Sequence, residues 1–376
     1  DKLKALGAQF APYNGWERAE WYAAPGDDTS WEATQTWDRT GPWEKRIRAE
    51  AEAVRDGVGV LDLPGFTRLR LVGPGARAHL AWLTASKLPQ PGRTGLLYFA
   101  DDRGRIVTEM TCLPFSDEDV GVITAAVAQS HDADILRKGL PEGVVLEDWT
   151  DKIHCFIVTG PKARDLLASI TEGDLTLPWL SVQYFAKVAG KDVALVRVSF
   201  AGELGWEVHC DRGDAAHIYD ALLAGGAKPF GMKALNSLRI EKGYRAWKGD
   251  LSTDYSLLEG GLERFIDWTH DFPGKAALAT EKQRGVKKRF VSLKVEAGEA
   301  DAPYMSTLWH DGQVAGETTS GAWGYRVGGS LALGMLRADL AVPGTQVEVE
   351  IFGDRMKATV LPDGPAWDAK NERIRA

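Results

Sequence analysis

The sequence predicts an α+β fold built from two related α+β modules and a C-terminal β-barrel. Three observations carry this expectation. A chain of 376 residues is too long for one ordinary core and divides into two or three domains. Leu69-Arg-Leu-Val-Gly-Pro-Gly-Ala-Arg-Ala-His-Leu80 is echoed by Cys155-Phe-Ile-Val-Thr-Gly-Pro-Lys-Ala-Arg-Asp-Leu-Leu167, and both read as a buried strand, Gly-Pro, then a helix. From about Lys287 the pattern changes to short strands with turn residues and no long helix, as in a small closed or nearly closed barrel. The expected divisions are an N-terminal segment over 1–45, the paired modules over 46–285 and the barrel over 286–376.

The first 45 residues hold five of the fourteen tryptophans (Trp16, Trp21, Trp31, Trp37, Trp43) with little periodicity, so these aromatics are expected to pack on the body. In each echo the proline is expected in the first helical turn, where its missing N–H costs nothing. Gly104–Cys112 reads as a turn into a strand, and Val120–Val127 as a more buried strand. Val193–Phe200 is a hairpin partner for the segment that follows it. A helix is expected from Ala215 to Leu223. A stronger one spans Ala234–Tyr244, with Leu235 and Leu238 on its buried stripe and Arg239 and Lys242 on one flank. The barrel strands are expected at Arg289–Val295, Thr307–Trp309, Gln313–Thr319, Leu331–Met335, Gln346–Phe352 and Lys357–Leu361.

Composition narrows the function. The chain is 44% hydrophobic and 26% charged, normal for a globular protein with a large interior. A net charge of -8 argues against non-specific nucleic-acid or anionic-membrane binding, both of which favour a basic surface. No run of about 20 apolar residues exists to span a membrane. Cys112, Cys155 and Cys210 are widely spaced with no CxxC, and read as small buried hydrophobes in a reducing, cytoplasmic setting. The seven histidines show no HxxxH or HExxH spacing, so no dedicated metal centre is expected.

Ser199-Phe-Ala-Gly-Glu-Leu-Gly-Trp-Glu-Val-His-Cys210 is the segment richest in chemistry. With strand alternation, Trp206, Val208 and Cys210 share an apolar face, while Glu203, Gly205, Glu207 and His209 share the other. A carboxylate beside glycine suits a flat ring edge that bears adjacent N–H donors. The plainer reading of the same residues is the solvated face of a half-buried strand, and the segment alone leaves both open. No GxSxG, P-loop or strand-GxGxxG-helix pattern occurs, so any associated oxidation is expected to take place elsewhere. Glu109, Glu203, Glu207, Arg239, Tyr244, Asp250 and Glu259 make a site only if the fold converges them.

The Gly202-Glu-Leu-Gly-Trp-Glu207 core resembles the signature of the folate-binding aminomethyltransferase family. That family includes the T-protein of the glycine cleavage system and the C-terminal halves of dimethylglycine and sarcosine dehydrogenases. The resemblance extends over Gly59–Leu63, Gly92–Thr111, Leu235–Trp247, Asp250–Asp254, Leu258–Leu262, Phe272–Leu278 and Glu317–Gly334. Gly15-Trp-Glu-Arg-Ala-Glu-Trp21 is similar to the piece that, in the dehydrogenase branch, joins a flavin half to the folate half.

The resemblance implies three domains around a central opening that holds tetrahydrofolate. By motif, Glu207 takes the pterin edge, Trp206 packs beside it where many relatives carry Tyr, and Arg239 anchors the folate with Tyr244 in support. Glu203 belongs to the same cofactor-binding segment and shapes its turn. Glu109 stands where the family usually has Asp, near the reacting nitrogens, and its extra methylene changes the reach by about 1 Å. Glu109 and Tyr244 are thereby the expected catalytic pair. The implied reaction is demethylation of a small N-methylated amine, with the carbon captured as 5,10-methylenetetrahydrofolate beside a separate flavoprotein subunit. Two alternatives stay open: a self-sufficient demethylase moving an intact methyl from an N-, O- or S-methyl donor to folate, and a folate-binding subunit without turnover.

Overall fold

The computed structural model describes residues 1–13, 15–362 and 365–376. The first module is an antiparallel five-stranded sheet in the spatial order Gly95–Ala100, Ile106–Ser116, Asp119–Ala125, Phe66–Val72, Val145–Asp148. Leu71, Leu80, Leu97, Phe99 and Met110 fill its core, packed under the helix Ala76–Leu83. The second module is a seven-stranded sheet in the order Thr171–Glu172, Val182–Val188, Lys191–Val196, Gly205–Asp211, Ile153–Thr159, Gly59–Asp62, Lys228–Pro229. Its core holds Leu167, Val188, Val208, Ile218 and Leu222 under the helices Ala163–Ile170 and Ala215–Ala224.

The two modules interlock. Gly59–Asp62 precedes every strand of the first module in the chain, yet it pairs with Ile153–Thr159 in the second. Val60 and Leu61 are both fully buried, so this short strand is covered on both faces, which an outer edge would not provide. Leu113 and Ile123 of the first sheet meet Val182 and Val196 of the second across the junction.

The echoed segments fold alike. Phe66–Val72 leads to the helix Ala76–Leu83, and Ile153–Thr159 to Ala163–Ile170. Gly73 and Gly160 both have φ +130°, and a Cβ would lie 2.1 Å from Gly143 O or 2.4 Å from Gly57 O. Glycine is required there by backbone crowding as well as by φ. Pro74 and Pro161 lie in the turn ahead of each helix, not in its first turn as expected. In each case the Ala N–H at the end of that turn bonds the Gly73 or Gly160 carbonyl. Proline suits the second position of such a turn because its φ is preset.

The helix Met232–Glu241 stops short of Tyr244. Gly243 takes φ +63°, and the Tyr244 N–H bonds the Arg239 carbonyl, the left-handed end that glycine favours. This helix packs with Trp43–Asp56 around Trp21, Leu61 and Phe230. In the N-terminal segment, Ala8–Tyr13 and Trp16–Tyr22 form a hairpin. Glu50 ties it to the body by accepting the Tyr22 and Gly231 N–H groups, each at 2.8 Å. Trp21 is buried, whereas Trp31 and Trp37 remain more than two-thirds exposed.

The barrel is closed by six strands in the order Lys288–Val295, Gly329–Arg337, Gln313–Gly324, Thr307–His310, Gln346–Ile351, Asp354–Val360. Lys288–Val295 pairs with both Gly329–Arg337 and Asp354–Val360, which leaves no edge. The molecule is thus the α+β fold with a C-terminal barrel that the sequence predicts. Among the described residues, no helix is long and apolar enough to cross a membrane.

Candidate functional site

Strand alternation in Ile106–Ser116 sends Thr108, Met110 and Cys112 inward and Glu109 to the opposite face. Tyr98 stands directly across from Glu109 in the neighbouring strand. Glu109 keeps some accessible surface although protein surrounds it. Burial pushes its carboxyl up to about 7, against the pull of the Tyr98 hydroxyl and the Arg245 charge. Burial likewise raises the Tyr98 phenol, with Glu109 adding to the effect. Phe265 packs on the Tyr98 ring at 5.0 Å between centroids.

Glu207 is half-buried on Gly205–Asp211, opposite Val196 and Ile157. His209, two residues on and on the same face, lies with Nε2 3.0 Å from Glu207 Oε2. Burial lowers the His209 pKa, opposed by Glu207. The ring is therefore neutral and donates through Nε2–H to the carboxylate. Among the described residues, Glu207 Oε1 has no protein donor. Cys155 Sγ lies 3.9 Å from the same nitrogen, and burial holds its thiol well above the ordinary range. Cys155, Glu207 and His209 place potential metal ligands within 4.8 Å of one another, a grouping that spacing along the chain does not reveal. The Arg68 charge reaches both Cys155 and His209 and opposes a cation there. A cleft of about 630 Å³ runs between the two sheets along Leu113, Ile123, Tyr184 and His209.

Tyr244 follows the Gly243 turn, and its ring stacks on Phe200 with centroids 6.0 Å apart. Burial pushes its phenol up to about 12.

Other residues singled out in the sequence are engaged by the protein itself. Trp206 turns away from Glu207 into the core of the second module, with Arg164 and Arg197 at 5.7 and 5.5 Å from its ring. Arg239 donates to Asn236 Oδ1, Tyr244 O, Asp250 Oδ2 and Ser320 Oγ, at 3.0, 3.0, 2.6 and 2.7 Å. Glu203 is fully buried and accepts from Arg326, Trp367 and Arg373 at 2.7, 2.9 and 2.6 Å. Asp250 holds Arg239, the Ala246 N–H and Thr319, while Glu259 pairs with Arg105. These four charged side chains bind segments of the chain together. Sequence reasoning passed over Tyr98, Arg68 and Arg245. Arg245 lies inside the Leu235–Trp247 motif, but nothing in the sequence marks it off from its neighbours.

Comparison with known proteins covers nearly all of the chain. Residues 1–270 match the GCVT N-terminal domain, and residues 288–368 match the glycine cleavage T-protein C-terminal barrel domain. Mitochondrial dimethylglycine dehydrogenase of Mus musculus is 33% identical over 93% of this chain and 41% of its own length. Mitochondrial sarcosine dehydrogenase of Mus musculus is 29% identical over 100% of this chain and 46% of its own length. The chain therefore spans less than half of those relatives. An aminomethyltransferase of Picosynechococcus sp. is 28% identical, with 96% of this chain and 95% of that protein covered. The crystal structure of glycine cleavage system aminomethyltransferase T from Bartonella henselae superposes with a TM-score of 0.83 at 20% identity, covering 96% of this chain and 95% of the other, and shows the same fold.

Proposed function

Since the chain belongs to the glycine cleavage T-protein family, we propose that it is a tetrahydrofolate-dependent one-carbon transferase in the demethylation of an N-methylated amine. The observation that carries this reading is the contrast between two carboxylates. Glu207 is steadied by a neutral histidine that leaves Oε1 free, and Glu109 is surrounded by protein with its carboxyl pushed up to about 7.

The residues fit a pterin. Glu207 suits a planar edge with two adjacent N–H donors, and the Phe200–Tyr244 stack offers a flat aromatic surface. Glu207 would hold the ring edge, with Tyr244 and Glu109 nearer the reacting end. Trp206, Arg239 and Glu203 would support this arrangement from behind. Tetrahydrofolate, when bound, supplies the nitrogens that accept the one-carbon unit. Glu109 then acts on the proton balance: near neutral pH it exists in both forms, so it can hold a proton or, ionised, face a positively charged nitrogen. Enclosure in the opening keeps water from the transferred carbon. The products of this reading are the demethylated amine and 5,10-methylenetetrahydrofolate.

Oxidation of the N-methyl group belongs, in this reading, to a flavoprotein partner, in keeping with the dehydrogenases that this chain partly spans. The test is calorimetric titration with tetrahydrofolate. Glu207→Ala should abolish binding, and an affinity close to that of the unaltered chain would sink the assignment.

A further inference from the structure

We propose that the cleft between the two sheets is a second ligand site, which takes an amphipathic monocarboxylate and holds its head on the guanidinium of Arg68. Neither Glu109 nor Tyr244 borders this cleft, so the proposal goes beyond the one-carbon reading and stands apart from it.

Alternation in Phe66–Val72 sends Leu69 and Leu71 into the core of the first module and Arg68 and Arg70 to the opposite face. Both arginines border the cleft of about 630 Å³. They are provided for differently. Arg70 pairs with Asp119, and its guanidinium lies 4.8 and 4.6 Å from the rings of Phe115 and Trp149. Arg68 is only 7% exposed, and among the described residues no carboxylate pairs with it. Its backbone N–H bonds Thr150 Oγ1 at 3.0 Å, and Nη1 bonds the Phe66 carbonyl at 2.9 Å, which orients the side chain. Nε and Nη2 are buried without a partner. Those two N–H groups form one edge of the guanidinium fork, an edge that meets both oxygens of a carboxylate.

The surroundings supply no offsetting charge. The Arg68 charge reaches Cys155, His209 and Cys210. Burial keeps both thiols protonated, His209 is neutral, and Glu207 bonds His209 rather than Arg68. A second void beside Arg68, of about 10 Å³, has room for one water at most and no charge to offer. A guanidinium stays charged at any ordinary pH, and burying it without a counter-ion is costly. An anion that reaches it relieves that cost.

The cleft narrows the choice of anion. Its size is that of a small-molecule site, and Leu113, Ile123 and Tyr184 give it apolar walls. Phe115 packs on Tyr184 at 4.3 Å between centroids, and the Tyr184 hydroxyl donates to the Pro114 carbonyl, which ties the two sheets together along the cleft. Among the exposed charges at its border, Glu172, Asp192 and Asp211 outnumber Lys187 and repel an anion of high charge. One fork offers two donors, enough for a carboxylate and too few for a phosphate dianion. A single carboxylate on an apolar body meets each of these conditions. The glutamyl tail of folate, with its two carboxylates, does not.

The test titrates octanoate and octanamide calorimetrically into the full chain at pH 7.5. The acid should bind, with the amide at least about 10-fold weaker. Arg68→Gln should erase that preference, and Arg68→Lys should keep part of it. Ala194 also borders the cleft, so Ala194→Phe should fill it and remove binding while leaving Arg68 in place. Equal binding of acid and amide to the unaltered chain, or binding of neither, would overturn the proposal without reliance on any variant. Octanoate binding that ignores both Arg68→Gln and Ala194→Phe would overturn it too, by placing the ligand elsewhere. So would competition between octanoate and tetrahydrofolate for one site, since the cleft would then belong to the folate site. A chain that binds octanoate in this pattern but no tetrahydrofolate would uphold the cleft and sink the one-carbon reading alone.

Discussion

Glu109 and Glu207 share a side chain and differ in surroundings, and the difference sets their chemistry. Glu207 gains a neutral histidine donor at 3.0 Å. Glu109 has the Tyr98 hydroxyl and a distant guanidinium, which do not offset its burial, so its carboxyl titrates at about 7. If the ionised form steadies a cationic nitrogen, single-turnover product formation should rise with pH through about 7 and level off near 8. Glu109→Gln should flatten that profile and slow the reaction, with folate affinity kept within several-fold. An unaltered chain whose rate ignores pH across this window would remove Glu109 from the chemistry. Stability runs the other way. The folded chain keeps this proton to a higher pH than the unfolded chain, so the contribution is present near pH 4 and is lost as pH rises towards 7. The face that Glu207 takes was legible in the sequence through strand alternation, whereas Glu109 stood out only by its place in the motif. The bonds made by Arg239 and Glu203 were not. Their partners Ser320 and Arg326 lie 81 and 123 positions away, and no local pattern encodes such pairings.

At the scale of elements, local signals were read well wherever periodicity and turn chemistry agree. Five of the six barrel strands and the helix Ala215–Ala224 fall within a few residues of expectation, while the strand from Gln313 runs on past Thr319 to Gly324. The echoed strand–turn–helix units were visible because each needs a glycine at one crowded corner. The placement of Gly59–Asp62 in the second sheet was not visible, since four apolar-rich residues pair equally well with many neighbours. The corner itself can be tested with two glycines in a single turn. Gly73 (φ +130°) would bring a Cβ within 2.1 Å of Gly143 O, whereas Gly75 (φ +91°) has nothing within 4 Å. Gly75→Ala should cost about 1 kcal/mol from backbone strain alone. Gly73→Ala adds a backbone collision and should cost at least about 2 kcal/mol more. Urea unfolding midpoints measure the gap, and equal losses would mean that the helix Ala76–Leu83 shifts freely.

For the whole molecule, the central question is what holds the barrel against the second module. Arg326 stands on the chain between two barrel strands, yet it reaches Glu241 at the end of the Met232–Glu241 helix and Glu203 in the second module. Both side chains of each pair are about 1% exposed or less. Arg373, near the C-terminal end of the described chain, closes on the same Glu203. One guanidinium therefore bridges two carboxylates drawn from separate parts of the fold, and a second pairs with Glu203. Burial raises the Glu241 pKa even with Arg326 present. Arg326→Met keeps much of the packing volume but leaves the buried Glu241 without its guanidinium, while Glu203 keeps Arg373 and Trp367. The expected loss is about 3–5 kcal/mol at pH 7.5, the usual consequence of removing one partner from a buried pair. The sign of its pH dependence follows from the same charges. The orphaned Glu241 carboxyl takes up its proton at higher pH in the folded chain than in the unfolded one. The variant should therefore recover towards the unaltered chain as pH falls to about 5.5, as protonation removes the unpaired buried charge of Glu241. Thermal unfolding at the two pH values checks this, and a deficit that stays constant would show that Arg326 acts by packing rather than by charge. Because the same residues hold the domains together, the variant should also weaken tetrahydrofolate binding at pH 7.5 without touching the ligand, and folate affinity should recover over the same pH range as stability.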